Sequence, residues 1–247
     1  MKLQLSVLMS LFLSATAWAQ NCKPVAKITA YEGQVSIKPA GKAIKKSPGK
    51  APADLCAGDE VHTFQGKALI KTERDAITLD DNSVLSVKTS NQASVDKGQA
   101  LFDIQKRQGG QGMQVATRLS VIGVKGTRFL VSDKPESVGV ALDEGVVDVK
   151  STQGKLGLFR EKEVQKPAKE LTFEDMKREM QEGVDTQKQE FEKYKTEIMK
   201  EFVAYVESVT MKAGTELVIS GNEAVERKTS GNMKSEMDEL RKWQKAH

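Results

Sequence analysis

Few side chains of this sequence are of the types, and at the spacings, that catalysis or metal binding requires. Histidine occurs only at His62, within a strand-like run, and at His247. No H-E-x-x-H, G-x-S-x-G or phosphate-loop spacing is present. Residues 80–82 (Asp-Asp-Asn) carry oxygen ligands, but the spaced ligands and distal Glu of an EF-hand are missing, so they are interpreted as a turn. The sequence therefore predicts no catalytic, cofactor-binding or metal-binding residue, no cofactor, and a protein that is not an enzyme.

The two cysteines, Cys22 and Cys56, could form a disulfide or a redox or metal pair. Lys2, the apolar run after it and the sequence Ala17-Trp18-Ala19 have the pattern of a secretory signal peptide over residues 1–19. We therefore expect a periplasmic protein that is exported through this signal peptide. In that oxidising compartment an even pair of cysteines favours a structural disulfide. Closing the loop between them restricts the unfolded chain by roughly 4 kcal/mol in the chain-entropy model.

The apolar run of the signal peptide is too short to span a membrane reliably, and no other stretch approaches about eighteen apolar residues. We therefore expect no integral membrane segment in the mature chain. The formal net charge is +4, which is too small an excess to imply a nucleic-acid partner.

Basic residues cluster in one stretch, residues 38–50, which contains Pro and Gly and no acidic residue. This composition predicts a mobile loop between strands. The loop is either a solvated insertion or a contact surface for an anionic envelope surface, such as lipid A, or for an acidic partner. The side chains that would make this contact are Lys38, Lys42, Lys45, Lys46 and Lys50.

Residues 25 to about 166 consist of short strand-like runs separated by Gly, Asn or Asp turns. Apolar and polar residues alternate within the runs, as in strands with one buried face. The pattern predicts an all-β domain over residues 20–168, and it leaves open whether the strands form a sandwich, a barrel or a short β-solenoid. The expected core residues are Phe64, Leu69, Ile77, Leu85, Phe102, Val115, Val121, Phe129 and Val140.

The pattern becomes helical after Pro167. Thr172 can cap a helix start, apolar residues then recur in steps of three and four, and Gly214 is placed as a C-terminal cap. This predicts a long amphipathic helix over residues 169–214, followed at 215–247 by a short strand, a loop and a terminal amphipathic helix. The expected interface residues of the long helix are Val184, Phe191, Tyr194, Ile198, Phe202, Tyr205 and Val209. So narrow an apolar stripe either packs on the β domain or pairs with another helix as a coiled coil, by self-association or with a partner.

The order of motifs in the β region resembles that of the FecR domain family. Residues 126–131 (GTRFLV) are similar to the family's GT-x-F-x-V strand, and residues 140–149 resemble its V-x-V-x-E-G-x-V-x-V hairpin with one residue of difference in spacing. Residues 55–63 resemble its L-x-x-G-D-x-V-x-T turn. Residues 79–87 resemble its L-x-D-G-S-x-L-x-V element, in which Asn82 replaces Gly; Asn also tolerates the left-handed conformation of a tight hairpin.

The resemblance covers roughly residues 25–168 and implies an all-β periplasmic module. FecR-type regulators relay the state of an outer-membrane receptor to a cytoplasmic sigma factor, which requires a cytoplasmic segment and a transmembrane helix that this sequence does not show. We therefore expect a stand-alone, non-enzymatic module that binds or scaffolds an envelope protein. The alternatives are an auxiliary role in envelope signalling and a glycan- or lipid-binding module, although aromatic residues, at 5%, are sparse for a sugar binder.

Overall fold

A computed structural model describes residues 22–106, 112–161 and 200–247. These residues form sixteen strands and one helix, α1 (Gly231–Ala246). The strands are β1 (Ala26–Lys38), β2 (Ala53–Leu55), β3 (Asp59–Lys71), β4 (Ala76–Leu79), β5 (Val84–Thr89), β6 (Gln92–Asp103), β7 (Met113–Ala116), β8 (Ser120–Val124), β9 (Arg128–Lys134), β10 (Ser137–Glu144), β11 (Val146–Ser151), β12 (Leu156–Glu161), β13 (Lys200–Val206), β14 (Ser208–Lys212), β15 (Thr215–Ser220) and β16 (Glu223–Lys228).

The strands form one continuous hydrogen-bonded ladder that folds over on itself into two layers. Layer A has the order β13-β12-β16-β15-β10-β9-β6-β4-β3-β1-β2, and layer B has the order β14-β11-β8-β7-β6-β5-β3. Neighbouring strands are antiparallel except for the pairs β12–β16 and β6–β7. The inner faces of both layers contribute to one apolar core. The domain is therefore a β-sandwich, one of the architectures that the sequence left open.

Several strands take part in both layers because they bend at one edge of the sandwich. Strand β3, for example, pairs with β5 of layer B through Asp59–His62 and with β4 of layer A through Ala68–Lys71. Along this edge the chain passes between the layers through residues with positive φ. We call these residues the corner row: Gly33, Gln65, Asn82, Gly98, Gly126, Gly145 and Gly214.

Four glycines of the corner row have no room for a side chain, as Gly98 and Gly145 show; the other two are Gly33 and Gly126. A Cβ at Gly98, where φ is +81°, would lie 2.2 Å from Oγ and 2.7 Å from Cα of Ser83. At Gly145, where φ is +93°, a Cβ would lie 2.4 Å from Cγ2 of Thr127. Glycine is required at both positions, for the backbone conformation and for the close approach of the neighbouring chain.

The core between the layers contains most of the residues that the alternation predicted. Phe102 and Phe129 stack at its centre with ring centroids 5.0 Å apart. Phe64 was predicted wrongly, because its side chain is 55% exposed on the outer face of layer B, and Val121 is only half-buried. The predicted core residues that are buried are Leu69, Ile77, Leu85, Phe102, Val115, Phe129 and Val140.

The predicted long helix over residues 169–214 is wrong. Its residues 200–212 form the strands β13 and β14, which pair with β12 and β11. Gly214, the predicted helix cap, turns the chain from β14 into β15 with a φ of +82°. The spacing of aromatic and β-branched residues in this stretch suits a strand as well as a helix, and pairing with existing strands decides between the two.

The predicted interface residues of that helix are therefore not on one helical face. Val209 is buried in the sandwich core, whereas Phe202 and Tyr205 are exposed on β13. Residues 169–199, with the other four predicted interface positions, lie outside the described residues: Val184, Phe191, Tyr194 and Ile198. The coiled-coil interpretation loses its basis, since its C-terminal third is β-structure.

The predicted terminal helix is present as α1, and it covers part of the outer face of layer A. Its cap is Ser230, whose hydroxyl accepts a hydrogen bond from the Met233 amide. The buried side chains of this second apolar cluster are Met233, Met237 and Leu240 of the helix and Leu101, Leu130 and Ala141 of the sheet. No helix within the described ranges is both long and apolar enough to cross a membrane.

Polar contacts fix the position of α1 along the sheet. Lys67 on β3 contacts Glu239 at 2.8 Å. The amide of Gln99 donates to Glu236 at 2.9 Å. At the helix start, the buried carboxylate of Glu216 accepts a hydrogen bond from the Ser230 backbone amide at 2.9 Å. These contacts lie on three different strands, so they define the orientation of the helix as well as its depth.

The predicted disulfide between Cys22 and Cys56 is present, with Cα atoms 5.9 Å apart. It joins the segment before β1 to the residue after β2. The neighbouring backbone hydrogen bond, from the Val25 amide to the Leu55 carbonyl at 2.9 Å, continues the same pairing. The disulfide therefore fixes the free end of the β1–β2 edge of layer A.

We expect Phe129→Ala to lower the free energy of unfolding by about 3–5 kcal/mol, because it removes a fully buried ring from the core. Arg128→Ala should cost less, about 1 kcal/mol, because this side chain lies on the outer face among the carboxylates of Asp103, Asp143 and Glu144. Urea denaturation of both variants measures the difference. Equal losses would show that the inner and outer faces of β9 have been exchanged.

We expect Gly98→Ala to destabilise the protein by several kcal/mol, because the added methyl group collides with the backbone of Ser83. Gly154→Ala is the matched control. Gly154 also has a positive φ, of +94°, but nothing lies within 4 Å of the added Cβ, so its cost should be about 1 kcal/mol. Urea midpoints of the two variants test the close packing of the corner row, and similar losses would contradict it.

Candidate functional site

The lysine-rich loop between β1 and β2 is held against the sandwich by backbone contacts. The carboxylate of Asp59 accepts hydrogen bonds from the amides of Ala40 and Cys56, both at 2.9 Å. The hydroxyl of Tyr31 donates to the Gly49 carbonyl at 2.6 Å. In the middle of the loop, Lys46 exchanges two backbone hydrogen bonds of 2.8 Å with Ile37 on β1. The loop that the sequence predicted as mobile is therefore anchored at its start, middle and end.

A chain of alternating charged and polar groups joins the loop to β3. Lys38 contacts one carboxylate oxygen of Glu60 at 2.9 Å, and the other oxygen lies 3.0 Å from Nε2 of His62. Nδ1 of His62 lies 3.2 Å from the ammonium of Lys45. The bond from Lys38 is the main cause that lowers the pKa of Glu60, and burial is the main cause that lowers the pKa of His62. Near neutral pH, His62 is therefore uncharged; Nε2–H donates to Glu60 and Nδ1 accepts from Lys45.

The loop and the outer face of layer B enclose a cleft of about 470 Å³, which we call the lysine cleft. Lys45 and Lys46 of the loop lie on one side, and Lys97 of β6 lies on the other. No acidic side chain lines the cleft. Four of the lining residues belong to the corner row or are next to it in sequence, where the bent strands converge: Gln34, Phe64, Asn82 and Lys97.

The predicted anion-contact lysines divide into three groups. Lys45 and Lys46 line the cleft. Lys38 is paired with Glu60 beside it, and Lys42 and Lys50 are exposed and do not contribute to its lining. Sequence reasoning missed the other side of the cleft. Lys97 is far from the loop in sequence, and only the pairing of β3, β5 and β6 brings it close.

A second surface feature lies on the edge of layer A. Phe159 of β12 and Phe202 and Tyr205 of β13 contact one another edge to face, with ring centroids 5.6 and 5.2 Å apart. Phe202 and Tyr205 are 49% and 73% exposed, and the neighbouring Val203 is 42% exposed. We call these four residues the aromatic ridge. Half of the exposed large apolar side chains in the described part of the chain belong to β13, so the apolar exposure is concentrated in one place.

The ridge coincides with an open strand edge. β13 is the last strand of layer A, and among the described residues it pairs only with β12. Within the described part of the chain, no strand pairs with its other side. Within residues 22–106, 112–161 and 200–247 no three His, Cys, Asp or Glu side chains lie close enough together to hold a metal ion.

Comparison with known proteins supports the interpretation of the β region. Residues 59–148 match the family described as FecR protein. This part of the chain is a FecR domain. The FecR domain runs from the start of β3 into β11, so it contains the stacked Phe102 and Phe129 and most of the corner row. Lys97 and His62 of the lysine cleft lie within it, whereas the lysine-rich loop precedes it and the aromatic ridge follows it.

Solved structures show a more distant likeness. Two crystal structures of a candidate anti-sigma factor from Parabacteroides distasonis ATCC 8503 are 12% identical in sequence, with TM-scores of 0.44 and 0.43. Each match covers 71% of this chain and 62% of the solved chain, so this chain spans less than two thirds of their length. No curated protein matches the chain.

We expect His62 to titrate at a lower pH than an exposed histidine, because burial and the ammonium of Lys45 disfavour its protonated form. Lys45→Ala should raise the pKa of His62, since it removes a positive charge, and Glu60→Gln should lower it further, since it removes the carboxylate that favours the imidazolium. NMR titration of the imidazole signals measures these shifts, and His62→Gln identifies the signal. Shifts in the same direction for both variants would contradict the hydrogen-bonded chain.

Proposed function

We propose that this chain is an exported, non-enzymatic FecR-domain protein that binds an extended apolar segment of another cell-envelope protein along β13. The observation that carries the proposal is the aromatic ridge on an open strand edge. Export is supported by the signal-peptide pattern of residues 1–19 and by the disulfide between Cys22 and Cys56.

The form of the partner follows from the geometry of the edge. An open strand satisfies its free amides and carbonyls best by adding another strand, which is a common mode of peptide recognition. Proteins that avoid this pairing place Lys, Pro or a bulge on the edge. β13 has one such bulge, at Val203, which is skipped in the pairing with β12. It nevertheless exposes Phe202, Val203 and Tyr205 at this edge. Large aromatic side chains of this kind provide most of the binding energy of protein interfaces, so the partner segment should carry apolar side chains opposite them.

The FecR domain favours one refinement of this proposal. The family is associated with regulation at the cell envelope, so a partner that belongs to an envelope signalling system fits the domain best. The chain would then contribute by binding, as an auxiliary sensing component.

We expect a photo-crosslinking amino acid at Val203 to yield one defined adduct with an envelope protein in living cells. The same amino acid at Val146, which is 52% exposed on layer B, is the matched control and should yield none. Mass spectrometry of the adduct identifies the crosslinked segment. Adducts of equal yield at both positions, or an adduct only with a second copy of this chain, would contradict the proposal.

The double variant Phe202→Ser/Tyr205→Ser should reduce the adduct at Val203 by at least about tenfold, because it removes the two most exposed rings of the ridge. Both side chains are exposed, so the unfolding midpoint should change little. Hydrogen exchange provides an independent measurement: the amides of β13 should become protected when a synthetic peptide of the crosslinked segment is added. An unchanged exchange rate would show that the partner does not pair with this strand.

A further inference from the structure

We propose that the lysine cleft binds an anionic saccharide, a sugar that carries phosphate or carboxylate groups. This binding activity is separate from strand pairing at β13 and uses different residues on the other layer of the sandwich. The cleft volume of about 470 Å³ is within the range of sites that hold small molecules.

The first argument is the charge of the cleft. Among the described residues, Lys46 and Lys97 form no ion pair, and Lys45 contacts only the uncharged imidazole of His62. The nearby carboxylate of Glu60 is already bound by Lys38 and by the other nitrogen of His62. Three ammonium groups therefore face a concave surface without a compensating carboxylate, an arrangement that concentrates anions.

The second argument concerns the uncharged part of the lining. Ser36, Ser47 and Asn82 offer hydroxyl and amide groups that can both donate and accept hydrogen bonds. The ring of Phe64 is 55% exposed beside them, although it was expected to be a core residue. An exposed ring next to neutral polar groups suits a ligand with one apolar face and many hydroxyl groups. A sugar ring has both, and an inorganic anion has neither.

The third argument is that the site is formed before any ligand arrives. Lys46 is held by its two backbone hydrogen bonds to Ile37, and Lys97 immediately precedes the constrained Gly98. Little backbone ordering is then required on binding, which favours affinity.

The test uses calorimetric titration of the mature chain with four probes: glucose 6-phosphate, glucuronate, glucose and inorganic phosphate. We expect both anionic sugars to bind, glucose to show no binding, and phosphate to bind more weakly than glucose 6-phosphate. NMR should show that glucose 6-phosphate raises the pKa of His62, because the bound anion favours the imidazolium beside Glu60, Lys45 and Lys38. Absence of binding for both anionic sugars would overturn the proposal.

Three variants separate charge from sugar recognition. Lys46→Gln/Lys97→Gln should weaken binding of both anionic sugars by about a hundredfold, or tenfold for each lost charge-assisted hydrogen bond. Lys88→Gln/Lys150→Gln removes two exposed lysines outside the cleft and should leave the affinity unchanged. Phe64→Ala should weaken binding of the sugars and leave that of phosphate unchanged. An equal effect of Phe64→Ala on phosphate, or phosphate binding as tight as that of glucose 6-phosphate, would reduce the site to a simple anion site and overturn the saccharide assignment.

A vesicle experiment separates a soluble saccharide from a lipid headgroup. With vesicles of phosphatidylcholine and phosphatidylglycerol, the original chain and the variant Lys46→Gln/Lys97→Gln should co-sediment to the same extent. Co-sedimentation that the cleft variant abolishes, without binding of the soluble sugars, would assign the cleft to a lipid surface and overturn the proposal. The ridge variant Phe202→Ser/Tyr205→Ser should bind the sugars with unchanged affinity. The saccharide proposal and the strand-pairing proposal can therefore be overturned independently of each other.

Discussion

The corner row is the constraint on which the two-layer structure depends. Several strands and hairpins cross between the layers along one edge, and each crossing requires a left-handed residue. The crossings are also packed against one another, as the contacts of Gly98 with Ser83 and of Gly145 with Thr127 show. A larger side chain at one crossing would displace the next strand, and the core between the layers could not close around Phe102 and Phe129.

The same row determines where the lysine cleft forms. Bending brings the outer-face residues just before or after each crossing close together, although they are distant in sequence. Lys97 reaches the cleft because Gly98 allows β6 to turn, and Phe64 is exposed because it precedes the crossing of β3 on the outer face. Phe64 is in phase with the outward Glu60 and His62 of β3, so its assignment to the core followed from its apolar character alone.

Much of the β region could be predicted from local signals. Seven of the nine expected core residues are buried, and the pair of cysteines together with the signal-peptide pattern indicated the disulfide. The layer order could not be predicted, since a period of two specifies a buried face without specifying the neighbouring strand. The helix prediction for residues 200–214 was wrong for a related reason. The spacing of Phe202, Tyr205 and Val209 fits a helical stripe, and only the presence of β11 and β12 as partners makes the strand the stable choice.

The aromatic ridge remains exposed because helix α1 covers only part of the outer face of layer A. Helix α1 covers β6, β9 and β10 through Met233, Met237 and Leu240, and its 16 residues extend for about 24 Å at 1.5 Å per residue. The ridge on β12 and β13 lies beyond that cluster, across β15 and β16 in the layer order. The lysine cleft is on layer B, so the ridge and the cleft share no side chain and touch no common strand. Ligands at such separated sites are coupled only if both of them shift the same conformational equilibrium. The partner proposed for β13 and the saccharide proposed for the cleft therefore require no common side chain and could bind the same molecule at the same time.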